Sequence, residues 1–444
     1  MRIGVDLRCL MDGKRTGVEE YTLGILDAMI RAAPQDDFVL FANSRKPMRL
    51  PSFAEPNVVF RAFRYPNKLF NLSLKVAHWP TLDALAGDVD VFFVPSIRLA
   101  PLRARCPLVL TVHDLSFVRH PQFFSLERRM WHTFMEPKAL AQQATAVVAV
   151  SEATAQDVAA LYGVSPARIT VVPSGIPEFM EPPRQALDTS QTPGGANIPH
   201  QETTSSARDT RGLLGAGMTR VPANPAADAV QGSEMRRCRE RYRLPKRFLL
   251  YLGTLEPRKN LDGLLDAYGL VRAAGLPHAL VLAGVRGWVD EGFFARLRKH
   301  PYHDDIVLTG FVEDADKPFV YQLADLFVYP SFYEGFGFPP LEALACGTPV
   351  VTSFNSAIPE IAGEWAALVN PYDPQELAMV IAERLRHPFP VSLEVSEEIR
   401  RRYSWERAGR ETLLVLREAA RASKASEASK ASQIGMAMTE LKSL

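Results

Sequence analysis

Cysteine is scarce in this sequence of 444 residues, which has four thiols, at Cys9, Cys106, Cys238 and Cys346. They lie far apart, and none belongs to a C-x-x-C pair. This spacing argues against a structural zinc site and against a thiol redox motif. The cysteine pattern therefore predicts a reduced, cytoplasmic setting.

An excess of charge of one sign and long apolar runs are also lacking. The formal net charge is +1 at pH 7, so no global attraction draws the chain to nucleic acid, and we expect no nucleic-acid partner. No uncharged apolar stretch approaches the roughly 20 residues that cross a bilayer. The first residues, Met1 to Leu7, lack the apolar core of a signal peptide. We expect a cytoplasmic protein that can still touch the inner face of the cell membrane.

Short apolar strands alternate with helical patterns along the whole chain, which is typical of parallel, doubly wound α/β sheets. The length exceeds what one core ordinarily fills, so we predict two such domains. The first series of predicted strands is 2–6, 38–41, 91–94, 108–112, 147–150 and 170–172. The second series is 248–251, 279–283, 306–308, 326–329 and 350–351.

One internal echo supports a duplicated architecture. Asp90-Val-Phe-Phe-Val-Pro-Ser96 is similar to Asp325-Leu-Phe-Val-Tyr-Pro-Ser331. Chance similarity between two buried strands is the alternative, and the two-domain prediction does not depend on the echo.

Composition divides the chain into five parts. Residues 1–180 and 235–404 form the two predicted α/β domains. Residues 181–234 are rich in Ser, Thr, Pro and Gly and cannot bury enough apolar area to offset the entropy of ordering, so we predict a disordered insertion. Residues 405–422 form an amphipathic helix, and the low-complexity residues 423–444 are predicted to be a flexible tail.

The run 331–349 places Glu334 and Glu342 around a glycine-rich loop between a strand and a short helix. Gly335 and Gly337 allow a tight turn, so the helix N-terminus faces the carboxyl end of a strand. Such an N-terminus favours an anionic ligand, and a phosphorylated small molecule fits best. The alternative is that both glutamates simply face water. The aromatic neighbours of these glutamates argue against that alternative.

Arg258 and Lys259 follow another predicted strand, 248–251, and precede a helix. Two adjacent cations at the carboxyl end of a strand suit a diphosphate. An ordinary solvated pair of charges is an equally good interpretation of the sequence alone.

These motifs resemble the retaining glycosyltransferases of family four, whose hallmark is two glutamates with seven residues between them. The resemblance covers most of residues 1–175 and 240–420. It implies the GT-B architecture, in which two doubly wound domains face a cleft, with a nucleotide-diphosphate sugar as donor and a saccharide or lipid-linked acceptor. The first domain, 1–180, would bind the acceptor and the second, 235–404, the nucleotide sugar, and the C-terminal helix 405–422 would pack back on the first domain. The cleft motifs hold no acidic cluster such as Asp-x-Asp, so we expect no catalytic metal, and we expect no cofactor. Besides the glutamates, the resemblance rests on the motifs 253–260, 309–312, 149–154 and 171–176.

The resemblance implies four catalytic residues. Arg258 and Lys259 would bind the donor diphosphate and neutralise charge as the sugar departs. Glu334 would reach hydroxyls of the transferred sugar and steady the positive charge that develops on it. His113 would contact the donor sugar, with Asp114 orienting it. A lone histidine at a strand end can equally be a structural hydrogen-bonding residue.

The remaining implied residues bind substrate. Glu342 would hold the ribose hydroxyls, Val312 follows the strand where the family holds the nucleobase, and Gly17 belongs to a loop that closes over the donor phosphates. Gly17 can also be a plain turn glycine, and its loop lacks the G-x-G-x-x-G of a dinucleotide site. The glycine-rich loop would lie against the sugar and phosphate through the backbone of Gly335, Phe336, Gly337 and Phe338.

The resemblance predicts transfer of a hexose with retention, most closely that of mannose from GDP-mannose in the synthesis of lipopolysaccharide or another surface polysaccharide. A UDP-hexose is the second choice of donor. A catalytically silent nucleotide-sugar-binding scaffold and a sugar phosphorylase stay open as other classes. A phosphorylase needs a lysine-bound pyridoxal phosphate, and the sequence offers no matching site.

Residues 56–82 contain no acidic side chain, and in this segment four cations stand among five aromatic side chains. A basic surface with aromatic anchors can adsorb to anionic lipid without inserting deeply. The segment therefore predicts peripheral contact with the membrane. The alternative is an acceptor-domain surface with no lipid role. The cations are Arg61, Arg64, Lys68 and Lys75, and the aromatics are Phe60, Phe63, Tyr65, Phe70 and Trp79.

Overall fold

A computed structural model describes residues 1–12, 17–45, 53, 55–177 and 225–442. Of the predicted insertion at 181–234, all but residues 225–234 lies outside the described residues. The described chain forms two parallel sheets flanked by helices, which confirms the predicted fold class.

The first sheet consists mainly of continuous apolar strands, and β4 and β5 below are buried along their whole length, as strands covered on both faces should be. Its strands are β1 (Arg2–Asp6), β2 (Asp37–Asn43), β3 (Val58–Phe63), β4 (Val91–Val94), β5 (Leu108–Val112), β6 (Ala146–Ala149) and β7 (Ile169–Val171). Their order in the sheet is β3-β2-β1-β4-β5-β6-β7, and all neighbours are parallel.

The second sheet repeats this order over six strands. They are β8 (Phe248–Leu252), β9 (Ala279–Ala283), β10 (Ile306–Gly310), β11 (Leu326–Tyr329), β12 (Val350–Ser353) and β13 (Ala367–Val369). Their order is β10-β9-β8-β11-β12-β13. In both sheets the direction of winding reverses beside the first strand. Ligands of such sheets bind outside the carboxyl ends of the strands at that reversal.

Helices cover both sheets. Those of the first half are α1 (Gly17–Ala32), α2 (Asn67–Val76), α3 (Leu82–Ala86), α4 (Ser116–Arg119), α5 (Leu126–Phe134), α6 (Pro137–Gln143) and α7 (Glu152–Tyr162). Those of the second half are α8 (Pro225–Arg241), α9 (Leu261–Ala273), α10 (Glu291–Lys299), α11 (Lys317–Leu323), α12 (Phe338–Ala345), α13 (Ile358–Ala362), α14 (Pro374–Arg386), α15 (Leu393–Arg402) and α16 (Trp405–Lys442).

Two strands that the sequence analysis did not predict lie at sheet edges. β3 is partly exposed along its length because it borders only β2, and β13 has only three residues and borders only β12. An exposed edge strand lacks the continuous apolar run that reveals a buried one. Phe60, Arg61 and Phe63 therefore belong to the sheet.

The internal echo occupies equivalent positions in the two sheets. Asp90 precedes β4, and its Oδ2 accepts a hydrogen bond from the backbone N–H of Arg2 at 2.8 Å. Asp325 precedes β11, and its Oδ2 accepts from the backbone N–H of Phe248 at 2.7 Å. Arg2 and Phe248 each begin the first strand of their sheet. The repeated aspartate thus ties together the first and fourth strands of each sheet.

α16 returns from the second domain and packs along α1. It begins at Trp405, which lies so close to Gly24 and Gly175 that a Cβ on either glycine would be 2.4 Å from an atom of Trp405. Leu413 and Leu416 of the same helix are buried. This crossing fixes the two halves of the chain to each other.

The helix boundaries differ from the sequence expectation at two places. α8 begins at Pro225, inside the range predicted to be disordered. α16 continues to Lys442, although a flexible tail was predicted from residue 423. Lys424 Nζ lies 2.8 Å from an Asp90 carboxylate oxygen, and the repeated alanine, lysine and glutamate of this low-complexity segment favour a helix.

No helix among the described residues is long and apolar enough to cross a membrane.

Candidate active site

Arg258, Lys259 and Glu334 come into direct contact at the carboxyl ends of β8 and β11. Arg258 Nη1 donates to Glu334 Oε2 at 2.8 Å, and Lys259 Nζ donates to Glu334 Oε1 at 2.7 Å. The cations lie on the 3₁₀ turn Pro257–Lys259, and the carboxylate lies on the glycine-rich loop after β11. Residues 75 positions apart in the sequence therefore meet at one point because β8 and β11 are adjacent.

Glu256 completes this cluster and was not predicted from the sequence. Its Oε1 accepts from Arg258 Nη2 at 2.8 Å and lies 3.8 Å from Lys259 Nζ. Glu256 is 4% exposed. The sequence feature that could have identified Glu256 is its position within the motif 253–260, two residues before Arg258. The cluster therefore contains two cations and two carboxylates, and its charges balance.

The neighbouring cations determine the ionisation state of Glu334. Burial alone would raise the pKa of this carboxyl, but Arg258 and Lys259 more than offset it and lower the pKa to about 2. Burial likewise opposes the charge on Arg258, and Glu334 and Glu256 override it, so the Arg258 pKa lies well above its ordinary value. Glu334 is thus a carboxylate at neutral pH and has no proton to donate.

The glycine-rich loop contacts the first domain at Gly335. A Cβ at this position would lie 1.8 Å from the carbonyl oxygen of His113, so only glycine allows the approach. The Gly335 carbonyl accepts hydrogen bonds from Ser151 Oγ at 2.6 Å and Thr154 Oγ1 at 3.2 Å. Ser151 and Thr154 belong to the motif 149–154, but the sequence did not indicate their contact with the loop.

The His113 imidazole is fixed by its neighbours. Its Nε2 lies 2.7 Å from the carbonyl oxygen of Pro95, which can only accept, so Nε2 carries the proton. Burial lowers the pKa of His113 and favours the neutral ring. Asp114 accepts instead from the N–H of Ser116, at 2.9 Å. The Pro95 carbonyl thus holds the ring at Nε2, and an orienting role of Asp114 stays a prediction.

Glu342 lies apart from the four-residue cluster in its contacts. It is 2% exposed on α12, and its Oε2 accepts from Tyr321 Oη at 2.7 Å. Burial would lower the pKa of nearby Lys317, but Glu342 and then Glu20 of α1 raise it above its ordinary value. Lys317 thus lies within electrostatic reach of carboxylates from both domains.

α12 begins where the sequence predicted, but its N-terminus offers fewer donors than expected. Gly337 is the N-cap residue and adopts φ 108°, in the region that favours glycine. Pro339 and Pro340 have no N–H, so Phe338 alone carries one among the first three helical residues. Attraction for an anion here relies mainly on the helix dipole and on the nearby cations.

The other predicted binding residues face this loop or the core. A Cβ on Gly17 would lie 3.7 Å from the Phe338 ring, so the start of α1 approaches the loop. Phe336 is 5% exposed and packs against Phe338 and Tyr403, and Val312 is 3% exposed. The side chains of Phe336 and Val312 belong to the core, which leaves their main chain to meet a ligand.

Among the described residues, no three side chains of His, Cys, Asp or Glu come together as metal ligands would. The expectation of a site without metal stays a prediction.

Two family models match the two halves of the chain. The model described as "Glycosyltransferase Family 4" matches residues 15–178, and "Glycosyl transferases group 1" matches residues 236–403. Together they cover most of the sequence, each over one of the two sheets. The chain belongs to the glycosyltransferases of family four, which confirms the resemblance noted from its motifs.

Curated relatives include mannosyltransferases. The chain is 37% identical over 169 residues to O-antigen chain mannosyltransferase B of Escherichia coli, covering 37% of this chain and 44% of that protein. It is 30% identical over 220 residues to a GDP-mannose-dependent alpha-(1-6)-phosphatidylinositol dimannoside mannosyltransferase of Mycobacterium tuberculosis, covering 48% and 56%. The matched segments thus span about half the length of these relatives.

Solved structures share the fold. HepE of Anabaena in complex with UDP and glucose superimposes with a TM-score of 0.64 at 18% identity, over 94% of this chain and 99% of that one. At this level of identity the likeness establishes the two-domain GT-B architecture alone.

Proposed function

We propose that this protein is a retaining glycosyltransferase that transfers mannose from GDP-mannose to a hydroxyl of a saccharide or lipid-linked acceptor in surface polysaccharide synthesis. The observation that carries the proposal is the buried contact of Arg258 and Lys259 with Glu334 at the strand ends. Buried charges are costly unless they are paired, so such a cluster is typical of a functional site.

In the proposed reaction, Arg258 and Lys259 hold the donor diphosphate. The bond from the anomeric carbon to the phosphate oxygen breaks, and negative charge grows on the leaving diphosphate. Both cations then interact more strongly than in the ground state, which lowers the barrier. The charge balance within the cluster means that the diphosphate competes with carboxylates for the two cations.

Glu334 acts in this scheme as a carboxylate beside the positively charged sugar ring. Since its pKa is about 2, it does not protonate the leaving group. The acceptor oxygen bonds to the anomeric carbon on the face that the diphosphate leaves, and its proton passes to the leaving phosphate oxygen. His113, neutral and held by Pro95, contacts the donor sugar.

The choice of GDP-mannose rests on the relatives. The Mycobacterium tuberculosis relative is named as GDP-mannose-dependent, and the Escherichia coli relative is named as a mannosyltransferase. A UDP-hexose remains the second candidate because HepE, which shares the fold, was solved with UDP and glucose. The Glu334 carboxylate beside Arg258 and Lys259 argues against a silent scaffold, which would bind the nucleotide sugar without acting on the sugar.

We further propose that the first domain contacts the inner face of the cell membrane through α2 and α5. The exposed apolar side chains of α2 are Leu69, Leu72 and Val76, at 66%, 50% and 72% exposure. On α5, Leu126 and Met130 are 71% and 64% exposed. A groove of about 430 Å³ lies beside them, lined by Lys75, Leu126, Arg129, Met130, Thr133 and Phe134.

This surface differs in detail from the one expected over 56–82. Phe70 is buried, and Lys75 Nζ donates to the Phe134 carbonyl at 2.8 Å, so neither can act as a free anchor. Trp79 is 70% exposed and stays available. Exposed cations for anionic headgroups are supplied by Arg64, Lys68 and Arg129, while Arg128 stacks on Trp288.

Calorimetry of the purified protein with GDP, UDP and ADP tests the donor site. We expect selective binding of GDP, lost in the Arg258→Ala, Lys259→Ala double variant and kept in an Arg298→Ala, Lys299→Ala control on the exposed end of α10. UDP selectivity would replace the proposed donor. Absence of binding to all three would contradict the proposed function.

Transfer itself is tested with GDP-mannose and octyl α-mannoside. The expected product is an α-linked disaccharide glycoside, identified by the one-bond C1–H1 coupling in its NMR spectrum. A β-linked product would contradict retention.

A further inference from the structure

Tyr333 precedes Glu334 in the chain and links the second domain to the first. Its side chain donates a hydrogen bond from Oη to Asp157 Oδ2 at 2.5 Å. Tyr333 is 7% exposed and Asp157, on α7, is 6% exposed. A hydrogen bond to a buried carboxylate is among the stronger ones in proteins.

The backbone of Tyr333 is bound to the ion cluster. Arg258 Nη1 donates to the Tyr333 carbonyl at 2.6 Å, and the same nitrogen donates to Glu334 Oε2 at 2.8 Å. Tyr333 therefore joins Asp157 of the first domain directly to the residue that holds Glu334.

Neighbouring residues of the first domain support the same contact. Arg119 Nε donates to Asp157 Oδ1 at 2.9 Å, which leaves Oδ2 for Tyr333. The Phe123 ring stacks on Phe332 at a centroid distance of 5.2 Å. The segment that carries Glu334 is thus packed against the first domain as well as against Arg258.

We propose that the Tyr333–Asp157 hydrogen bond positions Glu334 when the two domains come together around a donor, which makes Tyr333 and Asp157 positioning residues for the transfer reaction. This inference rests on the proposed function of Glu334. The ion cluster that would hold the donor lies where the segment 332–335 touches the first domain, so a contact across the domains can set the position of its carboxylate. Tyr333 transmits its contact with Asp157 to the adjacent Glu334.

A purely structural role for Tyr333 makes a different prediction. In that case the hydroxyl would only satisfy Asp157, and its loss would lower the stability of the whole fold. Tyr333→Phe removes the hydroxyl and keeps the ring that packs beside His120, at a centroid distance of 5.5 Å. Tyr268→Phe is the matched control, since Tyr268 is also buried and its hydroxyl bonds to the His278 carbonyl within the second domain.

The experiment measures kcat and KM with GDP-mannose and octyl α-mannoside, GDP affinity by calorimetry, and hydrogen exchange of the peptide around 332–335. For Tyr333→Phe we expect kcat about tenfold lower, unchanged GDP affinity, and faster exchange of the Phe332 and Glu334 amides. These amides bond to the Arg258 carbonyl and to Ser356 Oγ. The double variant Asp157→Asn, Tyr333→Phe should lower kcat no further than the more impaired of the two single variants.

The outcomes separate the two proposals. If the wild type transferred no sugar, the proposed function would fail, and hydrogen exchange at 332–335 would still decide the positioning contact. If Tyr333→Phe had the same hydrogen exchange at 332–335 and the same kcat as Tyr268→Phe, the positioning role of Tyr333 would be overturned. A fall in stability with faster exchange throughout the core would also overturn it, in favour of a structural role.

Discussion

At the scale of single residues, two cations rather than water stabilise the negative charge of the buried Glu334 carboxylate. Burial opposes that charge, and Arg258 with Lys259 lowers its pKa from 4.5 to about 2. A carboxyl whose folded-state pKa is depressed stabilises the fold above its unfolded pKa. The stabilisation is lost as the pH falls through the folded pKa.

We therefore predict that Glu334→Gln removes a pH-dependent part of the free energy of unfolding, on the order of 3 kcal/mol at neutral pH. The difference between wild type and variant should shrink between about pH 4.5 and pH 2. Urea denaturation at a series of pH values measures it. Glu291→Gln, which removes an exposed partner of Arg286, is the control and should change little. A difference that stays constant down to pH 2 would contradict the ion-pair account.

The sequence predicted three of the four members of the ion cluster and missed the contacts that hold it. Arg258, Lys259 and Glu334 stand in local motifs that can be read directly. Glu256 was missed because an acid beside two cations suggests solvation as readily as a buried pair. Tyr333 and Asp157 meet across 176 positions, and only the packing of the two domains brings them together.

At the scale of elements, α2 and α5 present apolar side chains beside exposed cations. Apolar residues at such exposure on two neighbouring helices are typical of a surface that meets a partner. Adsorption to lipid adds apolar burial to attraction for anionic headgroups.

We predict that Leu69→Ser, Leu72→Ser and Met130→Ser, combined, lower binding to phosphatidylglycerol-containing vesicles at least about tenfold, because each change removes apolar burial. Vesicle sedimentation at several salt concentrations measures the loss. Met379→Ser with Leu393→Ser, at 64% and 54% exposure in the second domain, is the matched control. Equal binding by both variants and wild type would refute the membrane surface.

Element prediction succeeded for the buried strands and for the edge strands β7 and β10, and it missed the edge strands β3 and β13. Buried runs such as β4, β5 and β11 were predicted with the bounds that the structure has. β3 was missed because it is partly exposed and has Arg61 within it, and β13 was missed because its three residues include only one β-branched side chain. The second half of α16 was missed because a repetitive sequence of low apolarity lacks the periodicity that identifies an amphipathic helix.

At the scale of the whole molecule, the two sheets share one strand order, and equivalent aspartates fasten the first strand of each to the fourth. The ion cluster of Arg258, Lys259, Glu256 and Glu334 lies at this junction in the second sheet. His113 and Ser151 follow neighbouring strands of the first sheet, β5 and β6. The cleft residues therefore come from the same edge of both sheets, as the shared topology requires.

α16 is expected to be essential to the first domain. Removing residues 405–444 uncovers α1 and eliminates buried side chains such as Leu413 and Leu416, each worth about 1.5–3 kcal/mol. Since a domain is stable by only about 5–15 kcal/mol, we predict an insoluble or molten first domain.

A chain ending after Lys424 keeps these contacts and should melt within a few degrees of the full chain. Thermal denaturation by circular dichroism compares the two truncations. Equal melting temperatures for the full chain and the chain ending at Ser404 would show that α16 adds nothing to stability.

The crossing of α16 also governs how family members can recombine. Although Trp405 to Lys424 follows the second domain in the sequence, it packs with the first. A chimera that exchanges only residues 1–177 would pair a foreign α1 with the native α16, and the Trp405 ring would fit only where the foreign segment also has glycine at the positions of Gly24 and Gly175. An exchange of the first domain between relatives should therefore include the start of α16 together with residues 1–177.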